Sequence, residues 1–193
     1  GAGFTPVAGD YDGDSIADLA MYSDAFGQWF IRTMAGSVPV WGLSWGGAGL
    51  APVAGDYDGD RLSDMALYAE STGAWYIRSM TGALLSWGGA WGGPGFNAVS
   101  GDFNADHRSD LAVYNEATAK WFVMTTSGTA LTWNMSWGGP GMTSVSGDFN
   151  GDGTTDYAMY SESAGKWYVL SPNGTLVIWD ETWGGAGLTP VTQ

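Results

Sequence analysis

Asp10, Asp12, Asp14 and Asp18 stand at alternating and closing positions of one nine-residue stretch, and the arrangement returns as Asp56, Asp58, Asp60 and Asp64. Two further copies carry asparagine at the second place: Asp102, Asn104, Asp106, Asp110, and Asp148, Asn150, Asp152, Asp156. Carboxylates crowded in this way raise one another's energy when ionised, and a bound cation relieves the repulsion. Calcium takes about six to eight oxygens, supplied by alternate positions of a tight loop and by backbone carbonyls. The seventh loop position adds the carbonyls of Ile16, Leu62, Arg108 and Thr154, and Gly13 supplies the bend in the first copy. The expectation is about four calcium ions, one per loop, with the third site weakest because Ala105 replaces the glycine. A metal-free alternative is an Asx-turn loop, since Asp and Asn readily hydrogen-bond their own backbone.

The elements that position these loops are repeated with them. Asp10, Asp56, Asp102 and Asp148 are 46 residues apart, and Tyr22, Tyr68, Tyr114 and Tyr160 keep the same pitch. All twelve tryptophans fall into three series at that spacing, beginning at Trp29, Trp41 and Trp45. A period of this length marks a structural unit. The units run approximately 1–46, 47–92, 93–138 and 139–184, and residues 185–193 copy the opening segment.

Each unit reads as four short strands. In the first, Thr5-Pro6-Val7-Ala8 precedes the acidic loop, and Leu19-Ala20-Met21-Tyr22 follows it, apolar on both faces as in a strand covered on both sides. Trp29-Phe30-Ile31-Arg32 comes next, then a two-residue turn, whose strongest example is Asn173-Gly174. The last strand carries Val40-Trp41, with Pro39 placing it at an edge. No stretch has helical periodicity. The fold class is therefore all-β: a β-propeller of four 46-residue, four-stranded blades in one domain over residues 1–193. It closes as a single-chain four-bladed ring or as half of an eight-bladed homodimer.

The net charge of −14 has a local source, because fourteen of the twenty acids lie in the four loops. Such a chain lacks the positive surface that nucleic acid requires. With no cysteine there is no disulfide framework. No apolar run approaches the ~20 residues of a membrane helix, so no membrane insertion is expected. No signal peptide precedes Gly1, and the chain reads as a mature or trimmed soluble piece. Weak calcium loops suit extracellular calcium concentrations, which points to a secreted protein.

Pro-Val-Ala-Gly-Asp-Tyr-Asp-Gly-Asp at residues 6–14, Asp18-Leu19-Ala20-Met21-Tyr22, Gly27-Gln28-Trp29-Phe30 and Trp45-Gly46-Gly47 resemble the FG-GAP/VCBS family of calcium-binding propeller repeats. The resemblance covers the whole chain. It implies a propeller with calcium in the loop between the first and second strands of each blade, although family members usually have seven blades. Some members are lectins, which implies a carbohydrate-binding module.

The candidate glycan contacts are Trp41, Trp87, Trp133 and Trp179 on the edge strand, with Asp24, Glu70, Glu116 and Glu162 as polar partners. Aromatic faces suit sugar rings, which are apolar with a polar rim. The alternative is an adhesion or protein-interaction scaffold, or an accessory domain of a larger secreted protein, binding an extracellular protein with calcium purely structural. Catalysis is not expected: the only histidine, His107, sits inside the third acidic loop, which leaves no Ser-His-Asp or His-metal constellation.

Overall fold

A computed structural model describes residues 3–190. Each 46-residue unit forms one four-stranded antiparallel sheet whose strands lie side by side in chain order. The first sheet comprises β1 (Thr5–Pro6), β2 (Leu19–Ser23), β3 (Gln28–Arg32) and β4 (Val40–Ser44). The second comprises β5 (Ala51–Pro52), β6 (Met65–Ala69), β7 (Ala74–Arg78) and β8 (Leu84–Ala90). β9 (Phe96–Gly101), β10 (Asp110–Asn115), β11 (Lys120–Met124) and β12 (Ala130–Ser136) form the third. β13 (Met142–Val145), β14 (Tyr157–Ser161), β15 (Lys166–Leu170) and β16 (Leu176–Thr182) form the fourth. No helix occurs among the described residues. Pro39 falls immediately before β4 rather than within it, where its missing N–H removes no ladder bond.

The chain separates into two compact units, one ending at Pro94 and the other beginning at Gly95. In the first, the core joins both sheets: Tyr22, Trp29, Ile31 and Trp45 pack with Met65 and Leu67. In the second, Phe103, Tyr114, Trp121 and Val123 pack with Tyr157 and Met159. The Tyr and Trp series explain why both cores are aromatic. Tyr22 pairs with Trp29 across the β2–β3 ladder, their rings 5.3 Å apart, and the Tyr160–Trp167 pair repeats this at 5.0 Å. Trp29 Nε1 donates to the Trp45 carbonyl at 3.0 Å, and Tyr22 Oη donates to the Gly47 carbonyl at 2.9 Å. The paired rings thus clamp the segment that leaves each sheet.

A bulge in the outer hairpin decides which way the edge strand points. Phe30 pairs with Trp41 but Trp29 pairs with Leu43, so residue 42 is an extra residue between them. Gly42, Gly88, Asn134 and Asp180 all have positive φ there, from 57° to 72°, and Gly, Asn and Asp are the types that tolerate it. Without the bulge, Trp41 and Leu43 would share a face. With it, Leu43 turns to the core and Trp41 turns to solvent, 80% exposed.

The central strands β6 and β14 are buried along their whole length. β2 is not: Leu19 and Met21 are 62% and 43% exposed. The expected two-sided cover therefore fails in the first sheet, although its apolar pattern matches the others.

Candidate functional site

The acidic loops join the first two strands of each sheet. In the first, Asp10 Oδ1 accepts from the Gly13 N–H at 2.7 Å and Oδ2 from the Ser15 N–H at 2.8 Å. Asp14 accepts from the Ile16 N–H at 2.8 Å, which places Ile16 at the loop's turning point. The second loop repeats this through Gly59 and Arg61 on Asp56 and Leu62 on Asp60. In the third, His107 and Arg108 donate to Asp102 and Asp106. In the fourth, Gly153 and Thr154 donate to Asp148 and Asp152. Each loop thus wraps the backbone around its first aspartate.

Two loops bring three carboxylates within 4.8 Å of one another: Asp10, Asp12 and Asp18, and Asp56, Asp58 and Asp60. In the third and fourth, the asparagine amide fills the gap, Asn104 Nδ2 donating to Asp106 at 3.0 Å and Asn150 Nδ2 to Asp152 at 3.1 Å. Two left-handed positions shape the loops. One is Gly13, Gly59 and Gly151, where the third loop holds Ala105 at φ 61°. The second, missed from sequence, is Ser15, Arg61, His107 and Gly153. Only its fourth copy is glycine, so composition hides it.

The closing aspartates carry the test of whether a cation fits. Asp64 and Asp156 are fully buried, each accepting one backbone N–H, from Tyr57 at 2.7 Å and Phe149 at 2.8 Å. Their other oxygens, Asp64 Oδ1 and Asp156 Oδ1, have no hydrogen-bond partner. A buried carboxylate oxygen without a partner is costly. Burial, reinforced by Asp58, Asp56 and Asp60, pushes the Asp64 carboxyl up to about 7. Burial, reinforced by Asp106 and Asp102, does the same to Asp110, again to about 7. The residues present fit a hard divalent cation: an oxygen-only donor set with charge to neutralise and an orphaned oxygen to satisfy. In the first loop both oxygens of Asp18 are engaged, by the Tyr11 and Met34 N–H groups, so a cation there would have to use a remaining lone pair.

The second surface feature is aromatic. Trp41, Trp87, Trp133 and Trp179 are all 64–80% exposed, each set edge-on against the aromatic residue beside it: Phe30, Tyr76, Phe122 and Tyr168. In the first unit this creates a cleft of 390 Å³ lined by Phe26, Gly27, Ser44, Trp45, Gly46, Leu50, Tyr76 and Trp87. Trp45 of the first sheet and Trp87 of the second face each other at 5.7 Å, and Trp137 and Trp179 repeat the relation in the second unit at 6.1 Å. Of the expected glycan contacts, only Trp87 lines this cleft. Asp24 and Glu70 do not, and Glu162 accepts the Gly187 N–H at 2.9 Å, tying down a turn. The series at residues 30, 76, 122 and 168 was the overlooked signal, being aromatic in every repeat.

Four-stranded antiparallel sheets in tandem, each with an acidic loop after its first strand, define a β-propeller repeat protein. Residues 102–159, which contain the third and fourth acidic loops, match the FG-GAP-like repeat. No curated protein matches the sequence. Among solved structures, a protein of unknown function from Bacteroides caccae superposes with a TM-score of 0.57 at 13% identity, over 92% of this chain and 61% of the other. Virginiamycin B lyase from Staphylococcus aureus gives 0.57 at 14% identity, over 93% and 58%. A streptogramin B lyase gives 0.53 at 12% identity, over 87% and 52%. The chain thus spans between half and two thirds of the length of these structures, and the likeness is one of fold.

Proposed function

We propose that the chain is a calcium-stabilised extracellular binding module whose inter-sheet aromatic cleft takes carbohydrate. The observation that carries the reading is the facing pair Trp45 and Trp87, 5.7 Å apart, beside Ser44 and Tyr76 in the 390 Å³ cleft. A pyranose offers an apolar face to an indole and hydroxyls to a polar rim. The lining holds no carboxylate and no histidine, which supports binding over hydrolysis; the lyases among the similar structures share only the fold.

Calcium would be held in the second loop by Asp56, Asp58, Asp60, Asp64 and the Leu62 carbonyl, and by the matching residues of the other three. One ion per loop would bring the formal charge from −14 to −6. Its contribution is rigidity: it would tie the start of β6 to the preceding strand and hold the sheet that presents Trp87.

The test is a glycan array probed with the calcium-loaded chain, beside a chelated control and a Trp87→Ala variant. Binding to defined glycans by the loaded chain, lost in the variant, is expected. Silence across the array with intact calcium binding would leave the adhesion-scaffold reading in its place.

A further inference from the structure

The sheets meet by one repeated device. Within the first unit, Trp45 leaves its own sheet and donates from Nε1 to the Met65 carbonyl of the next sheet at 2.9 Å. Gly46 lies against Leu67, whose Cδ1 is 2.7 Å from where a Cβ would stand. Within the second unit, Trp137 Nε1 donates to the Tyr157 carbonyl at 2.7 Å, and Gly138 lies against Met159. The receiving side chains are covered by this arrangement: Met65 and Tyr157 are 2% exposed, Leu67 and Met159 0%.

Both halves of the device occur once more without a counterpart. The receiving positions on β2 are Leu19 and Met21, 62% and 43% exposed. The inserting position at the other end of the array is Trp183, 80% exposed. Trp183 is nevertheless anchored like Trp45: its N–H donates to Gly165 at 2.9 Å and its carbonyl accepts from Trp167 Nε1 at 2.8 Å. The Trp45 counterparts are 2.8 Å to Gly27 and 3.0 Å from Trp29. The backbone that carries the ring is thus held as it is where the ring elsewhere reaches the next sheet.

We propose that Trp183 of one copy seats on the Leu19–Met21 face of a second copy, donating its indole N–H to the Leu19 carbonyl. The occupant is argued from continuity: the surface is the same one that Trp45 and Trp137 cover inside the chain, and Trp183 is the exposed residue that holds their position in the last repeat. The junction is heterologous, so each copy offers one plug and one socket. Two copies consume both. The inference does not depend on calcium or on the identity of any glycan.

Light scattering across a dilution series tests it. The wild-type chain should show about twice 20.3 kDa at high concentration, and Trp183→Ala and Met21→Lys should each return to the single-chain mass. Both positions are exposed, so circular dichroism should show the fold intact. Mixing the two variants should restore association, because one retains the socket and the other the plug. As the chain has no cysteine, a Leu19→Cys/Trp183→Cys variant can be oxidised to trap the junction. Disulfide-linked multiple chains are expected on a non-reducing gel. A disulfide within a single chain, or a wild-type mass of 20.3 kDa at every concentration, would overturn the proposal.

Discussion

The N–H of Ser63 donates to the carbonyl of Asp10 at 2.6 Å. Asp10 opens the first acidic loop, and Ser63 immediately precedes Asp64, which closes the second. The second unit repeats the bond, Thr155 N–H to Asp102 carbonyl at 2.6 Å. The loops are therefore linked in pairs through the backbone, one sheet to the next.

Such a link predicts that calcium sites act in pairs. Asp64→Asn removes charge from the second loop and should weaken calcium at the first loop as well, through the Ser63 backbone, while leaving the third and fourth unchanged. Titration calorimetry of the variant should resolve two weakened sites and two of wild-type affinity. Loss confined to a single site would mean the bond transmits nothing.

The same contact predicts a packing clash with a specific rescue. A Cβ on Gly9 would lie 2.7 Å from Ser63 Oγ and 2.8 Å from Ser63 Cβ, so Gly9→Ala should destabilise the fold by about 1–3 kcal/mol. Ser63→Gly removes the two nearest obstructing atoms and leaves Tyr11 Cε2 at 3.0 Å. The double variant should recover most of the loss, read as coupling in a thermal-denaturation cycle. Equal destabilisation in the single and double variants would place the fault elsewhere.

Ala105 offers a gain of stability. It stands at φ 61°, where the first, second and fourth loops have glycine, and a left-handed conformation costs a residue with a Cβ roughly 1–2 kcal/mol. Ala105→Gly should therefore raise the melting temperature and strengthen the third calcium site. An unchanged melting temperature would show that the loop has already relaxed around the alanine.

The repeat and its loops were legible because both are written in residue type. Aspartate at alternate positions, and tyrosine and tryptophan at a fixed pitch, name the turn and the two central strands directly. The bulge at Gly42, Gly88, Asn134 and Asp180 was legible in principle, since all four are types that tolerate positive φ. The left-handed sixth loop position was not, because Ser15, Arg61 and His107, whose residue types do not announce it, adopt it as their N–H groups donate to the loop's first aspartate. Nor was the open face of β2 legible. Leu19-Ala20-Met21-Tyr22 and Met65-Ala66-Leu67-Tyr68 have one pattern, and only the neighbouring Trp45 makes the second buried. The aromatic cleft was half visible: the exposed tryptophans were foreseen, whereas their approach to the 45-series on a neighbouring sheet required the fold.

Calcium removal gives the widest test of the proposed role, because one ion per loop would touch every sheet. A ligand bound only by the folded state stabilises it by about 2.7 kcal/mol per site at a hundredfold excess over its dissociation constant. Chelation should therefore lower the melting temperature by many degrees, and Asp64→Ala should lose part of that response. The orphaned Asp64 Oδ1 and Asp156 Oδ1 predict that the second and fourth loops would supply most of it, because there a bound ion would give a partner to a buried oxygen that otherwise has none. Matching chelator responses in the Asp64→Ala and Asp18→Ala variants would refute that ranking, since Asp18 already accepts the Met34 N–H at 2.9 Å through the equivalent oxygen.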